Sequence, residues 1–387
     1  MNPILFKRLQ ETNIVIIGAV KETGSREKRI PLTPASTDKL VKKGALVLVE
    51  QGIGSELNIK DSQYASAGAV LASRVEVLTK SDLIVRVGKP SLEEISGIKQ
   101  HAVHLSFLNP FNESELIASM AKKKISAISV EMIPRTTLAQ KMDALSSQAS
   151  LAGYVAVILA AERINRILPM MMTPSGTISP ARVFIIGAGV AGLQAIATAK
   201  RLGARVDAFD TRPVVKEQVE SLGARFVQVD LGTTGQTKDG YAQALTPEQL
   251  ALQREAMAKV CAQSDIVITT AQVFGRRAPV IVTRDMLARM KPGSVVVDMA
   301  VESGGNVEGI QLDQELVSDG VRLIGLGNLP GRVALNASDM LSSNFTSFIE
   351  HFWNKEKKAF DLDLNDEIIR GCLVTHAGEI VNERLKG

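Results

Sequence analysis

The sequence predicts an α/β protein of two domains, each built on a parallel β-sheet flanked by helices. The chain has 387 residues, and one hydrophobic core rarely serves a chain of that length. Short β-branched runs alternate with helical patterns throughout, which is typical of parallel sheets covered on both faces. The proportions of 45% hydrophobic and 22% charged residues are those of an ordinary globular protein.

The first series of elements predicts an N-terminal α/β domain. Strands are predicted at residues 14–20, 45–50, 83–87, 102–108 and 125–130. A helix is predicted over residues 34–43, with Thr33 as its N-cap and Pro34 in its first turn. This alternation indicates a flavodoxin-like or Rossmann-like arrangement.

A second series predicts a further α/β domain after Pro180. Its strands are predicted at residues 182–186, 205–209, 225–229, 265–270, 294–299 and 321–325. Six strands with intervening helices are the count of a full dinucleotide-binding domain.

Two long helices are predicted to connect the domains, over residues 144–167 and 338–353. The predicted domains are therefore residues 1–145 with 339–387, and residues 146–338. The connection between the third and fourth strands of the second series is unusually long, and residues 232–245 within it are predicted to be mobile.

The composition argues against several classes of protein. A net charge of +4 with scattered basic residues gives no electrostatic reason to expect nucleic-acid binding. No run approaches the roughly 18 consecutive apolar residues of a membrane span, and the first residues lack a signal-peptide cleavage site. Cys261 and Cys372 have no metal-like spacing, so we expect buried thiols and a reducing, cytoplasmic setting.

A glycine-rich turn joins the first strand of the second series to a helix. It reads Gly187-Ala188-Gly189-Val190-Ala191-Gly192. Between a strand and a helix, the first glycine permits the tight turn, the second admits a diphosphate to the backbone, and the third allows close packing. The sequence therefore predicts a Rossmann domain that binds a dinucleotide. The alternative is a glycine-rich turn in some other α/β protein.

The next strand ends at Asp210-Thr211-Arg212, beyond which the chain turns. A carboxylate in this position accepts the hydroxyl groups of the adenosine ribose and repels a 2′-phosphate, which favours NAD(H). An arginine nearby can instead bind a 2′-phosphate, so Arg212 leaves the preference between cofactors open.

Other polar residues follow strands of the same series. Ligands of open α/β sheets bind beyond the carboxyl ends of the strands, so these residues are candidate cofactor contacts, with a loop or capping role as the alternative. They are Thr270, Ala271, Gln272, Asp298, Glu302 and Asn328.

The four histidines show no metal-binding pattern. None has a partner at helical spacing or a neighbouring cysteine. We expect structural or surface roles for His101, His104, His351 and His376, and no metal site.

Two segments carry a family resemblance. Lys21-Glu22 followed by residues 29–34, and the block over residues 169–204, resemble the alanine dehydrogenases and the NAD(H)-binding component of proton-translocating transhydrogenase. The resemblance extends over nearly the whole chain.

Two positions distinguish these branches. Alanine dehydrogenases carry a substrate lysine where this chain has Gly88, and a catalytic histidine where it has Asn109. Oxidative deamination needs proton transfers and a group that holds the substrate carboxylate. Gly88 and Asn109 lack those groups, although Lys89 is one residue away.

The transhydrogenase component is similar at two loops. Its arginine, glutamine and aspartate pattern is present as Arg135, Gln140 and Asp143, and its mobile-loop tyrosine matches Tyr241. The resemblance implies that the first loop surrounds the nicotinamide and its ribose and faces an NADP-binding partner, and that Tyr241 closes over NAD(H). From the residues alone, an equally good interpretation is that these three side chains form a hydrogen-bond network at the start of a helix.

The resemblance implies that this is the NAD(H)-binding subunit of proton-translocating NAD(P) transhydrogenase. Its partners would be an NADP(H)-binding subunit and a membrane-spanning subunit, with a homodimer expected. The chain would be peripheral on the cytoplasmic face of the inner or plasma membrane, without direct membrane insertion. An alanine-type dehydrogenase and a non-catalytic NAD(H)-sensing module are the alternatives.

Overall fold

The computed structural model describes residues 14–24, 26–230 and 246–386. Within them the chain forms two compact units. Unit 1 consists of the described residues up to Gln148 together with those from Val333 onwards, and unit 2 is Ala149–Arg332. Two domains are thus confirmed, whereas the boundaries predicted at residues 145 and 338 stay a prediction.

The strands in chain order are β1 Ile16–Ala19, β2 Leu46–Glu50, β3 Val70–Ala72, β4 Leu83–Val85, β5 Val103–Ser106, β6 Ser126–Ser129, β7 Met171–Thr173, β8 Gly176–Ile178, β9 Arg182–Ile186, β10 Arg205–Phe209, β11 Arg225–Phe226, β12 Ile266–Thr269, β13 Val295–Asp298, β14 Gln314–Ser318, β15 Val321–Gly325, β16 Trp353–Asn354, β17 Ala359–Phe360, β18 Leu373–His376 and β19 Glu379–Ile380.

The helices are α1 Pro34–Lys42, α2 Asp61–Ser66, α3 Arg74–Lys80, α4 Leu92–Gly97, α5 Ser114–Lys122, α6 Ala144–Arg163, α7 Val190–Arg201, α8 Lys216–Ser221, α9 Pro247–Gln263, α10 Arg284–Ala288, α11 Ala334–His351 and α12 Glu367–Cys372.

Unit 1 is built on an eight-stranded sheet in the order β19-β18-β6-β5-β4-β1-β2-β3. The strands from β6 to β3 are parallel, and β18 and β19 add an antiparallel edge. Helix α1 begins as predicted, because the Thr33 side chain accepts a hydrogen bond from the Ser36 N–H and Pro34 occupies the first turn.

Unit 2 is built on a seven-stranded sheet in the order β11-β10-β9-β12-β13-β15-β14. Its six parallel strands follow the order 3-2-1-4-5-6 of dinucleotide-binding domains. Strands β9, β12 and β13 are buried along nearly their whole length, and Phe184, Val267 and Val296 lie in the core beneath α9. The predicted parallel fold is therefore confirmed, with an additional antiparallel strand, β14, that was not predicted.

The cysteines are buried and unpaired, as predicted. Cys261 lies in α9 against the core of unit 2. Burial raises the pKa of its thiol to about 12, so this thiol stays protonated and unreactive.

Helix α6 is the one described helix that is long and apolar enough to cross a membrane. No such segment was predicted from the sequence, because polar residues interrupt every apolar run. In the structure 56% of the helix window is buried, and the core helix of a soluble protein has the same length and composition.

Candidate functional site: the carboxyl edge of the unit 2 sheet

The candidate site lies where the connections of unit 2 diverge. Strand β9 pairs with β10 on one side and β12 on the other, and the chain leaves β9 and β12 in opposite directions across the sheet. Ligands of open α/β sheets bind at this switch point, beyond the carboxyl ends of the strands. The turn that begins at Gly187 and the segment that begins at Thr270 flank this point.

Each glycine of the turn is required by its surroundings in a different way. Gly187 has a φ of +99°, and a Cβ added to it would lie 2.4 Å from the Thr270 Oγ1. A Cβ on Gly192 would lie 1.9 Å from the Gly187 carbonyl oxygen, so helix and turn touch there. At Gly189 the nearest atom would be the Arg212 Nη2 at 3.9 Å. Gly189 is therefore the glycine that leaves open space for a ligand at the backbone.

Helix α7 begins directly at this open position. Gly189 is its N-cap and provides no side-chain capping bond. The first turn, with exposed Val190 and half-buried Ala191, contains no acidic residue. Free N–H groups and the helix dipole at such an end favour an anion such as a diphosphate.

Asp210 connects the end of β10 to the glycine-rich turn. Its Oδ2 accepts a hydrogen bond from the Ala188 N–H at 2.8 Å. Arg212 forms a bidentate pair with the same carboxylate, with Nε–Oδ1 at 2.9 Å and Nη2–Oδ2 at 2.8 Å. The hydrogen bond with Asp210 raises the pKa of the Arg212 guanidinium. Thr211 lies between them and is half-buried.

The residues after β12 support the turn from the other side. The Thr270 hydroxyl donates to the Gly187 carbonyl at 3.0 Å. The Ala271 N–H donates to the Asn306 Oδ1, and the exposed Gln272 amide donates to the Met299 carbonyl. The structure thus brings these three residues to the same edge as the glycine-rich turn.

Asp298 is fully buried and points into the protein. Its carboxylate accepts hydrogen bonds from the Thr269 hydroxyl and from the N–H groups of Ala300, Asn306 and Val307. Burial raises its pKa, and these hydrogen bonds oppose that shift. This side chain fixes the loop after β13, and its assignment as a cofactor contact stays a prediction.

Asn306, which closes the loop after β12, was not predicted from the sequence. Its side-chain N–H groups donate to the carbonyls of Ala271 and Pro279, each at 2.8 Å, and its Oδ1 accepts from the Ala271 N–H. The signal was present in the Gly304-Gly305-Asn306 turn sequence, because an asparagine after two glycines often shapes a loop.

The remaining candidates of unit 2 lie on two neighbouring loops. Glu302 is exposed, and its Oε1 would lie 3.2 Å from a Cβ on Gly327. Asn328 has a positive φ of +45°, and its Oδ1 accepts from the Gly331 N–H. Asn328 therefore has the capping role that was the alternative to cofactor binding, and its contact with a cofactor stays a prediction.

The predicted nicotinamide loop lies in unit 1, just before α6. Arg135 and Gln140 are exposed. Asp143 caps α6, since its carboxylate accepts hydrogen bonds from the N–H at 2.8 Å and the hydroxyl at 2.6 Å of Ser146. The loop is thus a helix start in the structure, and its role at the nicotinamide stays a prediction. Tyr241 lies outside the described residues.

The ends of β4 and β5 carry backbone N–H groups held by buried carboxylates. Glu22 accepts from the N–H groups of Val87 and Gly88, at 2.8 and 3.0 Å. Glu131 accepts from the N–H groups of Leu108 and Asn109. Burial raises the pKa of Glu131. At these two strand ends the protein's own carboxylates occupy the N–H groups that could otherwise bind an anion.

No described histidine at these ends titrates near neutral pH. Asn109, which stands where alanine dehydrogenases carry a histidine, has an amide side chain and a positive φ of +51°. His104, on β5, is fully buried, and its pKa is lowered to about 3 by burial and by the charge of Arg86. Lys89 forms an ion pair with Glu113. Among the described residues, no group of three or more histidine, cysteine, aspartate or glutamate side chains is arranged to hold a metal ion.

Comparisons with known proteins identify the family. Residues 18–152 match the N-terminal domain, and residues 156–383 the C-terminal domain, of the family described as alanine dehydrogenase/PNT. The chain belongs to this family. Among its relatives, a protein of Rhodospirillum rubrum named as the first part of NAD(P) transhydrogenase subunit alpha is 42% identical, over 96% of this chain and 99% of that protein. The protein of the same name from Rickettsia prowazekii is 41% identical, over 95% and 96% of the two chains.

The two branches of the family differ in their distance from this chain. The crystal structure of transhydrogenase from Sinorhizobium meliloti has a TM-score of 0.86 and 43% identity, covering 95% of this chain and 100% of that one. An L-alanine dehydrogenase structure has a TM-score of 0.81 and 25% identity, covering 96% and 98%. The chain therefore lies nearer to the transhydrogenase branch within one shared fold.

Proposed function

We propose that this chain is the NAD(H)-binding subunit of a proton-translocating, Re/Si-specific NAD(P)⁺ transhydrogenase. In this role it presents NADH for hydride transfer to NADP⁺ on a partner subunit. The proposal rests on the residues present at one dinucleotide turn and at two strand ends. A dinucleotide turn is built at Gly187–Gly192, whereas the strand ends at Gly88 and Asn109 lack the lysine and histidine of an amino-acid dehydrogenase.

Hydride transfer between two nicotinamides needs no nucleophile and no proton donor, so the protein contributes position and exclusion of water. NADH, when bound, supplies the hydride. The turn at Gly189 and the start of α7 hold the diphosphate, while Asp210 receives the adenosine ribose. Arg135, Gln140, Asp143 and Tyr241 are proposed to surround the nicotinamide and its ribose.

The proposal includes an NADP(H)-binding subunit and a membrane-spanning subunit as partners, with the chain peripheral on the cytoplasmic face of the membrane. The names of its relatives support this, because they describe a subunit alpha and therefore one component of a larger protein. One of these relatives is longer than this chain. The subunit alpha of Haemophilus influenzae is 37% identical, and this chain covers 71% of it.

A homodimer is also proposed, and the hairpin β7–β8 supports it. Every residue of both strands is exposed, and the hairpin pairs with neither large sheet. Met170, Met172 and Ile178 are 61%, 75% and 44% exposed. An isolated two-stranded hairpin is marginal in water, and residues 167–181 contain no charged side chain. A second copy can therefore pair with it without repulsion between like charges.

An alanine-type dehydrogenase is the second candidate, favoured by the shared fold and by Lys89 beside Gly88. The test is NADH absorbance with pyruvate and ammonium, after calorimetry has shown that NADH binds. We expect no consumption by this chain alone. Transfer to an NADP⁺-loaded partner subunit turns NADH into NAD⁺ and NADP⁺ into NADPH, which absorbs as NADH does, so this transfer is measured by chromatographic separation of the nucleotides. Consumption with pyruvate and ammonium overturns the proposal. Binding of NADH without transfer to the partner would indicate a sensing module.

A further inference from the structure

The Asp210 carboxylate already receives four hydrogen bonds within the protein. Its Oδ1 accepts from the backbone N–H and the Nε of Arg212, each at 2.9 Å. Its Oδ2 accepts from the Ala188 N–H and the Arg212 Nη2, each at 2.8 Å. A carboxylate offers about four lone-pair positions, so Asp210 has no acceptor position left for a ribose hydroxyl.

The Arg212 guanidinium lies over the glycine-rich turn. Its Nη2 would be 3.9 Å from a Cβ on Gly189, closer than any other atom. The side chains of Arg212 and Asp210 are 15% and 6% exposed, so the charge pair is largely withdrawn from water. Arg212 thus lies between the place proposed for the ribose and the place proposed for the diphosphate.

We infer that Arg212 competes with the adenosine ribose for Asp210 and limits the discrimination between NADH and NADPH. This inference rests on the proposed NAD(H) site. The ribose hydroxyls can donate to Asp210 only when the Nε and Nη2 of Arg212 give up their positions. Each NADH molecule that binds therefore breaks a bidentate charge pair.

The same pair weakens rejection of NADPH. Asp210 alone would repel a 2′-phosphate, but beside Arg212 its charge is neutralised, and the released guanidinium is a counter-charge for the phosphate. Arg212 thus opposes NADH binding and favours NADPH binding.

The test measures the dissociation constants of NADH and NADPH by calorimetry on the full chain. Arg212→Gln is expected to bind NADH severalfold more tightly, because no bidentate charge pair has to be broken on binding, and to bind NADPH more weakly. Arg212→Lys keeps the charge but cannot form the bidentate pair, so its affinity for NADH should lie between those of the parent chain and Arg212→Gln.

Unit 2 offers a matched control in Arg225 and Asp207. They form the same kind of bidentate pair, with Nε–Oδ1 and Nη2–Oδ2 each at 2.8 Å. Asp207, however, lies within β10 and away from the glycine-rich turn. Arg225→Gln removes the same charge from the same sheet, and we expect both dissociation constants to stay at the parent values.

The outcomes separate the inference from the proposed function. If the parent chain binds NADH and Arg212→Gln binds it equally or less tightly, with Arg225→Gln unchanged, the competition is disproved and Arg212 is a bystander or a direct cofactor contact. If Arg212→Gln fails to fold, Arg212→Lys decides, and weaker NADH binding by that variant disproves the competition. If the parent chain does not bind NADH, the proposed function fails as well.

Discussion

At the scale of single residues, buried carboxylates decide what each strand end of this protein can bind. Glu22 and Glu131 accept the N–H groups after β4 and β5, and Asp298 does the same after β13. Buried N–H groups left unpaired are costly, so these acids stabilise the loops and occupy positions that an anionic ligand could otherwise use. At the glycine-rich turn Asp210 accepts the Ala188 N–H, but the first turn of α7 after Gly189 contains no acidic residue.

Gln140 is exposed in the loop before α6, and we expect it to position the nicotinamide. Gln140→Asn shortens the side chain by one methylene, so it should slow single-turnover hydride transfer to the NADP⁺-loaded partner by roughly ten- to a hundredfold, as small misplacements do. NADH affinity should change only a few-fold. Rapid quenching followed by chromatographic separation of NADH and NADPH measures the rate, with Gln218→Asn on α8 as a control that leaves it unchanged. Lost binding with normal transfer would contradict this role.

His104 makes the stability of unit 1 depend on pH. Its pKa is lowered to about 3 in the folded protein, below the ordinary value near 6.5. Between these values the unfolded chain binds more protons, so the free energy of unfolding should fall as pH decreases from 6.5, by up to about 1.4 kcal/mol per pH unit.

Urea unfolding at several pH values tests this expectation. His104→Gln should flatten the dependence between pH 6.5 and pH 4, whereas His351→Gln, at an exposed position on α11, should retain the parent slope. An unchanged slope in His104→Gln would show that another group causes the dependence.

At the scale of elements, two glycines at the start of α7 have different roles: one affects the stability of the protein and the other affects NADH binding. Because a Cβ on Gly192 would lie 1.9 Å from the Gly187 carbonyl oxygen, Gly192→Ala should cost about 1–3 kcal/mol of stability as overpacking. Gly189→Ala meets nothing closer than 3.9 Å, so it should unfold like the parent chain while binding NADH much more weakly.

Thermal unfolding and NADH calorimetry on both variants distinguish these roles. Retained NADH affinity in a stable Gly189→Ala protein would show that the diphosphate does not approach the backbone at this glycine. A fully stable Gly192→Ala protein would show that α7 can move away from the turn.

At the scale of the whole molecule, the proposed homodimer depends on the hairpin β7–β8. Replacing Met172 and Ile178 by aspartate puts like charges into the proposed contact between copies, so the protein should change from a dimer to a monomer of 41.6 kDa. Size-exclusion chromatography with light scattering measures the mass. Leu364→Asp, at another exposed apolar position, should leave the dimer intact, and a dimer in the hairpin variant would exclude this contact.

Much of the fold was predictable because its strongest elements have local patterns. Strands β9 and β10 have the predicted bounds. For β9 the reason is that buried parallel strands are continuous apolar runs. The short strands β3, β18 and β19 lie at or near sheet edges and were missed, because a strand of two to four residues has little periodicity. The strand predicted at residues 225–229 is shorter in the structure, Arg225–Phe226, and it also lies at the edge of its sheet.

The sequence by itself determined the α/β fold class, the glycine-rich turn and the carboxylate after β10, because these depend on neighbours in the chain. Only the tertiary structure decided which carboxylates face inward. Asp298 ends β13 and Asp210 follows β10, and each accepts four hydrogen bonds. Those of Asp298 come from Thr269 and the loop after β13, whereas three of those of Asp210 come from Arg212, beside Gly189. Partners such as Asn306 come from distant segments, and the direction of a side chain depends on packing that no local pattern contains.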